Sequence, residues 1–315
     1  MSYFEQIEPP KREERLHACI ACGGTFAGVV KRMRCCQPDG ERSFSQSNIC
    51  LLLQALGIMN TIPTSVVLLH GAVGCGSSCL GGNAAVRSGN SQRWGVFKDG
   101  TWASTALTEA EVIGGGESKL AEAIVSLNER FSPAVIFVVA ACVPGIIGDD
   151  VDGVVEQLQP QIWAKLLPVH CEGFKTKIWA TAYDAVYHAV GRVLLPDAQP
   201  VGASDGAGKL VNLFNVSSMG RFDEIELERL LKELGLEVNI FPAFSKPENF
   251  CQMTQAVLSI STCPTHDDYI LQHLEEKYGV PYLLRHMPIG IRNTSEWLRS
   301  IAAGLGLEEQ AEALI

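Results

Sequence analysis

The chain lacks the features that mark membrane, exported and nucleic-acid-binding proteins. No apolar run approaches the about 18 residues that a membrane helix needs, and the run at 134–141 has only the length of a strand. Residues 1–15 are charged and contain no apolar signal core, so we expect a cytoplasmic protein. The formal net charge is −10, and no basic patch is interleaved with aromatic residues. We therefore expect neither nucleic acid nor a membrane as a partner.

The sequence also lacks the common phosphate-binding motifs. The triplet Gly114-Gly115-Gly116 precedes a predicted helix, a position where backbone amides can bind phosphate. It has neither the Lys-Ser/Thr pair of a P-loop nor the spacing of a dinucleotide-binding fingerprint. A tight turn into the helix is the favoured interpretation.

The chain does have enough apolar residues for two α/β domains. Its 315 residues are 47% hydrophobic, which suits sizeable cores. Apolar β-branched runs alternate with helical patterns, which is typical of Rossmann-like, doubly wound parallel sheets. The predicted strands are 65–69, 134–141, 166–170, 210–216, 237–241, 256–261 and 282–284. The predicted helices are 48–59, 117–130, 151–158, 179–194, 224–234, 267–278 and 295–304, and residues 81–105 are predicted to form an irregular loop with some edge strand.

Composition divides the chain into three parts. Residues 1–45 form a polar N-terminal extension with four cysteines, residues 46–200 a first α/β domain, and residues 205–315 a second α/β domain. The boundary between the two domains is a stretch rich in Pro, Gly, Ala, Ser and Asp at 196–208.

Eleven cysteines are the most informative residues of the chain. Because no secretion signal is recognised, a disulfide framework is not expected. Metal ligation is the better interpretation for several cysteines, and inert core thiols for the rest. The cysteines are Cys19, Cys22, Cys35, Cys36, Cys50, Cys75, Cys79, Cys142, Cys171, Cys251 and Cys263.

The cysteines of the N-terminal extension have one spacing that zinc proteins use. Cys19 and Cys22 are followed by Cys35 and Cys36, and such a set can hold Zn²⁺ in a small ribbon. No second well-spaced pair completes the set, so cysteines with no metal-binding role are the favoured alternative.

Other cysteines follow predicted buried strands. Cys75, Cys142 and Cys263 come after the strands 65–69, 134–141 and 256–261, at the edge where open α/β sheets bind their ligands. Gly71, Gly74 and Gly76 frame Cys75, so that the backbone can turn tightly and come close to a bulky neighbour. Cys50 precedes Cys75 by 25 residues, enough for a helix and a returning strand to bring the two thiols together.

Thiolates in such positions can bind iron–sulfur clusters. Cys50, Cys75 and Cys142 are one fewer than a self-contained four-cysteine cluster needs, which suggests a ligand from a partner subunit. Cys263 belongs to the second domain and hence to a separate site. The alternative for each cysteine alone is a buried structural thiol. Asp149 and Asp150 are predicted to cap the helix 151–158, and His70 to have a structural role in its turn.

Three segments together resemble the nitrogenase component 1 family. Residues 69–75 (Leu-His-Gly-Ala-Val-Gly-Cys), 142–150 (Cys-Val-Pro-Gly-Ile-Ile-Gly-Asp-Asp) and 171–174 (Cys-Glu-Gly-Phe) are similar to motifs of its α-type catalytic subunit and of the paralogous scaffold for cofactor assembly. Cys263 and the segment 275–281 (Glu-Glu-Lys-Tyr-Gly-Val-Pro) resemble the region where that family anchors its active-site cofactor. The resemblance covers roughly residues 45–305 and follows the family's order of motifs.

The resemblance implies a ligand set and partners. Cys50, Cys75 and Cys142 would bind a P-cluster-type or simpler 4Fe–4S centre together with a paralogous component 1 β-type subunit, in a hetero-oligomer. Cys263 would anchor a larger iron–sulfur cofactor, for which a FeMo-cofactor-like cluster is one option. An ATP-dependent iron protein would deliver the electrons. No catalytic residue is assigned.

The chain departs from the family at several positions. Dinitrogen-fixing members carry a His, a Gln and an Arg where this chain has Tyr183, Trp179 and Asn83. The family's third domain, with the His that grips the far end of the cofactor, has no counterpart here, and His273 and His286 occupy the wrong segment. These differences argue against dinitrogen as the substrate.

Three functions are therefore considered. The first is a nitrogenase-like reductase of another substrate, such as a carbon–sulfur bond of a small thioether or a tetrapyrrole. The second is a scaffold that holds a cofactor precursor without turnover. The third is an α/β binding or structural protein whose cysteines are incidental.

Overall fold

The computed structural model describes residues 50–175, 181–195, 209–216, 220–263, 266–285 and 287–315, and within these the side chains of residues 78–82 are not described. Several sequence-based predictions lie outside the described residues. They are the zinc set of the N-terminal extension, the linker at 196–208, Trp179 and His286.

The first half of the chain forms a parallel four-stranded sheet in the order β2-β1-β3-β4. Every residue of β1 and β3 is buried, as expected for apolar strands covered by helices on both faces. The register pairs Ser65 with Val135 and His70 with Ala140, so β1 and β3 end level with each other. The strands are β1 (Ser65–His70), β2 (Thr101–Ser104), β3 (Val135–Ala140) and β4 (Lys165–His170).

Helices cover both faces of this sheet. Apolar residues of α1 and α7 pack on one face, and those of α4 and α6 pack on the other. The helices are α1 (Leu51–Met59), α2 (Val73–Trp94), α3 (Glu109–Gly114), α4 (Glu117–Phe131), α5 (Cys142–Ile147), α6 (Val151–Leu158) and α7 (Thr181–Val193).

The second half repeats the arrangement with a parallel sheet in the order β6-β5-β7-β8. Helices α8 and α11 cover its outer face. Its strands are β5 (Leu210–Phe214), β6 (Glu237–Phe241), β7 (Leu258–Ser261) and β8 (Tyr282–Leu284). Its helices are α8 (Arg221–Glu233), α9 (Pro247–Cys251), α10 (Asp268–Tyr278), α11 (Gly290–Leu305) and α12 (Glu308–Leu314).

The two sheets share one hydrophobic core. The cluster that covers the inner face of the first sheet also contains Phe214 and Phe241 of the second. Tyr187 of α7 meets Phe214 edge-on, with ring centroids 6.0 Å apart. Large aromatic residues at this junction bury much apolar area, so the two α/β units are held against each other.

The prediction of doubly wound parallel α/β sheets is confirmed. The prediction of a loop over 81–105 is wrong for much of its length, because α2 continues to Trp94. Its glycines lower helix propensity but permit close packing: a Cβ on Gly89 would lie 2.0 Å from the Phe244 ring. Tertiary contact with Phe244 therefore outweighs the local preference. Within the described ranges, no helix combines the length and apolarity needed to cross a membrane.

Candidate metal centre

The three thiols predicted to bind a cluster lie together at the carboxyl edge of the first sheet. Cys50 directly precedes α1, Cys75 lies in the first turn of α2, and Cys142 begins α5. A Cβ placed on Gly173 would lie 2.7 Å from the Cys50 Sγ and 3.6 Å from the Cys142 Sγ, so these sulfurs are neighbours. The Cys75 thiol interacts electrostatically with both. We call Cys50, Cys75 and Cys142 the three-thiol site.

The electrostatics of this site suit a cationic metal centre. Burial, and then the charges of Cys142 and Cys50, raise the pKa of the Cys75 thiol, because neighbouring thiolates repel one another. The first turns of α1 and α2 contain no acidic residue, and the positive end of a helix favours a thiolate. Bound iron would offset the repulsion that remains between the sulfurs.

The spacing of the donors differs from that of a mononuclear metal site. Among the residues that the structure describes, no three His, Cys, Asp or Glu side chains converge closely enough for one metal ion. Cys50 is exposed, whereas Cys75 and Cys142 are half-buried, and none of them forms a disulfide. A cluster accepts thiolates at separate iron atoms, so wider spacing suits it.

Cys171 lies beside the three-thiol site but is not available to a metal. It is fully buried in the core below the site, and burial raises the pKa of its thiol far above the usual range. A thiol that stays protonated in apolar surroundings is a poor ligand. Cys171 is therefore a structural residue.

Exposed apolar side chains border the three-thiol site. Val73 in the first turn of α2 is 66% exposed, Ile146 of α5 is 72% exposed, and Phe174 after β4 is 55% exposed. All three belong to the segments that also carry Cys75, Cys142 and Gly173. Grouped apolar side chains at a surface are typical of protein interfaces.

A buried hydrogen-bonded pair underlies the site. His70 at the end of β1 and Asp149 after α5 are almost completely buried, and the His70 Nε2 lies 2.9 Å from an Asp149 carboxylate oxygen. Burial lowers the pKa of His70, so the neutral ring donates from Nε2 and accepts the Thr105 hydroxyl at Nδ1. The other Asp149 oxygen accepts the Gly116 amide at 2.9 Å. This network joins the segments that follow β1, β2 and β3.

The segments that follow β1 and β3 approach each other closely. A Cβ on Gly71 would lie only 2.8 Å from the Cβ of Ala141, a distance that real Cβ atoms do not adopt. Glycine at this position therefore lets the segments that lead to Cys75 and Cys142 run side by side. Of the tight turn and the close approach predicted for the glycines around Cys75, Gly71 provides the close approach, and Gly74 and Gly76 belong to α2.

The segment after β4 packs against the site. The Gly173 amide donates to the Cys142 Sγ at 3.2 Å. The neighbouring Glu172 accepts from Lys175 at 2.7 Å, and its pKa is lowered by Lys175 and His170 despite its burial. A Cβ on Gly145 of α5 would lie 2.7 Å from the Glu172 Cγ, so this segment packs directly on α5.

Cys263 lies at the carboxyl edge of the second sheet, in a network of its own. The Cys263 amide donates to the Ser261 hydroxyl oxygen at 3.0 Å, and this hydroxyl donates to Asp267 at 2.6 Å. Asp267 also accepts from Asn215 at 3.1 Å and from the Tyr187 hydroxyl at 3.2 Å. Complete burial raises the pKa of Asp267 to about 6.

Tyr183 stands where dinitrogen-fixing members of the family carry a His, and it packs next to the Asp267 network. Its ring stacks on His266 with centroids 4.3 Å apart and an interplanar angle of 10°. Burial raises the pKa of Tyr183 far above its usual range, so the phenol stays neutral. Gln54 donates to its hydroxyl at 3.4 Å. His273, in contrast, stacks on Tyr269.

Comparison with known proteins assigns the family. The model of the family described as nitrogenase component 1 type oxidoreductase matches residues 50–315. The chain belongs to this family. The resemblance deduced from the motifs is thereby confirmed.

Relatives of two kinds match this component 1 type chain. The nitrogenase iron-molybdenum cofactor biosynthesis protein NifE of Clostridium pasteurianum is 30% identical over 293 residues, which cover 92% of this chain and 59% of the relative. The nitrogenase molybdenum-iron protein alpha chain of the same organism is 29% identical over 252 residues, which cover 78% of this chain and 45% of the relative. The chain thus spans about half the length of the curated relatives it matches.

A solved structure supports the fold of this component 1 type chain. Nitrogenase Cp1 at pH 6.5 superposes with a TM-score of 0.69 at 24% identity, covering 86% of this chain and 54% of the other. At this identity the match shows the shared fold.

Sequence reasoning missed three features of this component 1 type chain. Asp150 caps α6 as predicted, by accepting the Gly153 amide, but Asp149 bonds to His70 and to the segment before α4 instead. The hub at Asp267 joins residues far apart in the chain, and no local pattern signals it. Gly173 lay within a recognised motif, but its contacts with two thiols required the structure.

Proposed function

We propose that this chain is a component 1 type subunit that binds an iron–sulfur cluster at Cys50, Cys75 and Cys142, shared with a paralogous β-type subunit. It receives electrons from an ATP-dependent iron protein and passes them to a cofactor at Cys263, where a small substrate other than dinitrogen is reduced. The observation that carries the proposal is the convergence of three reduced thiols from three separate segments at one sheet edge.

The donor set fits a P-cluster-type or 4Fe–4S centre. Thiolates are the ligands of such clusters, and the side-chain-free surface of Gly173 leaves a cradle between the Cys50 and Cys142 sulfurs. A bound cluster would supply one-electron storage at this edge. The chain would supply the thiolate ligands and the Gly173 amide as a hydrogen-bond donor to sulfur. The buried His70–Asp149 pair would hold the segments beneath the ligands in place.

Two observations support completion of the site by a partner subunit. Three thiols leave a cluster short of ligands, and Cys50 is exposed rather than covered by this chain. Exposed Val73, Ile146 and Phe174 border the site and would be buried by a partner.

At the second site, the chain would hold one end of a larger cofactor through Cys263. The Ser261 hydroxyl, bonded to Asp267, accepts the Cys263 amide and so holds the backbone that carries the thiol. Tyr183 occupies the position where dinitrogen-fixing members of the family carry a His. Its neutral phenol, stacked on His266, does not have the acid–base chemistry of an imidazole. This supports a different substrate.

A scaffold for assembly of a nitrogenase-type cofactor is the second candidate. It is supported by relatives that are named as cofactor biosynthesis proteins and that cover 87% and 92% of this chain. A scaffold needs the thiols and the cradle but no group that delivers protons, and burial raises the pKa of Tyr183 far above its usual range, which makes its phenol a poor acid.

The test is anaerobic purification of the full chain together with a component 1 type partner. Both candidates require a brown protein that contains iron and sulfide, and a colourless, metal-free product under these conditions would contradict both. Addition of iron protein and ATP then separates them. The reductase turns over a thioether or tetrapyrrole substrate only with both additions, whereas the scaffold transfers its cluster to an acceptor protein without turnover.

A further inference from the structure

Gly173 lies against the sulfur atoms of two of the three proposed ligands. Its amide donates to the Cys142 Sγ at 3.2 Å. An added Cβ would lie 2.7 Å from the Cys50 Sγ, which is closer than real Cβ atoms come to any neighbour. The absence of a side chain therefore decides where the Cys50 thiol can lie.

We propose that Gly173 is a positioning residue for the cluster ligands, and the proposal rests on the function proposed above. The missing side chain leaves room for the Cys50 Sγ beside the Cys142 Sγ. The amide orients the Cys142 thiolate through an N–H···S hydrogen bond, an interaction that also tunes the potentials of iron–sulfur clusters. One residue thus sets the spacing of two ligands that are 92 positions apart in the chain.

The backbone of Gly173 does not itself require glycine. The φ angle of Gly173 is not positive, in contrast to those of several other glycines of the chain. Alanine is therefore compatible with the local conformation and keeps the amide. The Cys50 Sγ is the end of a side chain at an exposed position, so it can rotate away from an added methyl group without disturbing the core.

The variant Gly173→Ala isolates the steric contribution. In the full chain without metal, we expect an unchanged urea midpoint, because only an exposed thiol has to move. Alkylation of the Cys50 thiol, mapped by mass spectrometry, is expected to accelerate while that of Cys142 stays the same. After reconstitution with ferrous iron and sulfide in the presence of the component 1 type partner, the affinity for iron is expected to fall about tenfold, as for other residues that orient metal ligands.

The matched control is Gly74→Ala, one residue before Cys75, where an added Cβ meets nothing within 4 Å. It should alter neither alkylation nor iron affinity. In a Cys50→Ala background, Gly173→Ala should cause no further loss of iron, because the displaced thiol is already absent.

Two results would overturn the proposal. One is an unchanged alkylation rate of Cys50 in Gly173→Ala, and the other is iron affinity equal to that of the wild type. If the wild-type chain takes up no iron even together with its component 1 type partner, the proposed function fails. The alkylation rates of the metal-free chain still decide whether Gly173 positions the Cys50 thiol.

Discussion

The two sheet edges that carry the proposed ligands are organised in opposite ways. At the first edge, one exposed and two half-buried thiols lie near one another, and exposed apolar side chains border them. At the second edge, a single thiol follows a strand whose polar groups are already bonded to Asp267 and its partners. At the first edge, a metal centre and a partner would supply the remaining ligands and the cover, whereas at the second edge the backbone that carries Cys263 is held by side chains of this chain.

This difference shows how one fold can serve two tasks. The parallel sheets deliver cysteines to equivalent edges, but the residues beneath those edges decide what each can bind. Below the three-thiol site lies the His70–Asp149 pair, which fixes the segments without bonding to the sulfurs. Beside Cys263 lies a buried carboxylate that ties the loop to α7 and β5.

The largest effect on stability is expected beneath the three-thiol site. Asp149→Ala removes the carboxylate that accepts from His70 and from the Gly116 amide, and leaves both donors buried without a partner. The expected loss is about 3 kcal/mol of unfolding free energy, measured by urea denaturation.

The matched control for this variant is Asp150→Ala. The Asp150 carboxylate caps α6 at an exposed position, and its removal should cost about 1 kcal/mol. Equal losses of unfolding free energy in the two variants would show that the His70–Asp149 pair does not hold the segments beneath the three-thiol site.

The Asp267 network at the edge of the second sheet should make the unfolding free energy depend on pH. Burial raises the pKa of Asp267 from 3.8 to about 6, so the folded state keeps a proton that the unfolded state releases. The stability from this group is fully present below pH about 4 and is lost as the pH rises through about 6, a change of about 2 to 3 kcal/mol. Asp267→Asn should lack this component when urea unfolding is compared at low and neutral pH. If the unfolding free energies of variant and wild type changed in parallel with pH, the buried, protonated Asp267 would be contradicted.

A smaller effect is expected where the Asp267 network meets α7. Tyr187→Phe removes only the hydroxyl that donates to Asp267 at 3.2 Å and keeps the ring against Phe214. We expect a loss of about 1 kcal/mol in unfolding free energy. A loss above that of Asp149→Ala would mean that the network at the second edge dominates stability.

The smallest effect concerns communication between the edges. Because Cys263 belongs to a separate network, Cys263→Ala should leave the iron bound at the three-thiol site unchanged after reconstitution with ferrous iron and sulfide. Loss of that iron would show that the two edges form one site.

Much of this arrangement follows from sequence, and the rest depends on packing. Apolar β-branched runs specify strands, and parallel strands bring their carboxyl ends to one edge, so the meeting of Cys75 and Cys142 was predictable. Helix α2 was not, because its glycines argue against a helix until Phe244 is seen to pack on Gly89. The pairing of His70 with Asp149 spans 79 positions, and no periodicity reports such a contact.

The central claim is that the three thiols form one cluster site, and iron content tests it most directly. Cys75→Ala and the control Cys251→Ala, an exposed cysteine at the end of α9, are prepared anaerobically alongside the wild type. Iron and sulfide per chain are then measured. The account predicts that Cys75→Ala loses most of its iron while Cys251→Ala keeps it. Full iron content in Cys75→Ala would contradict the account.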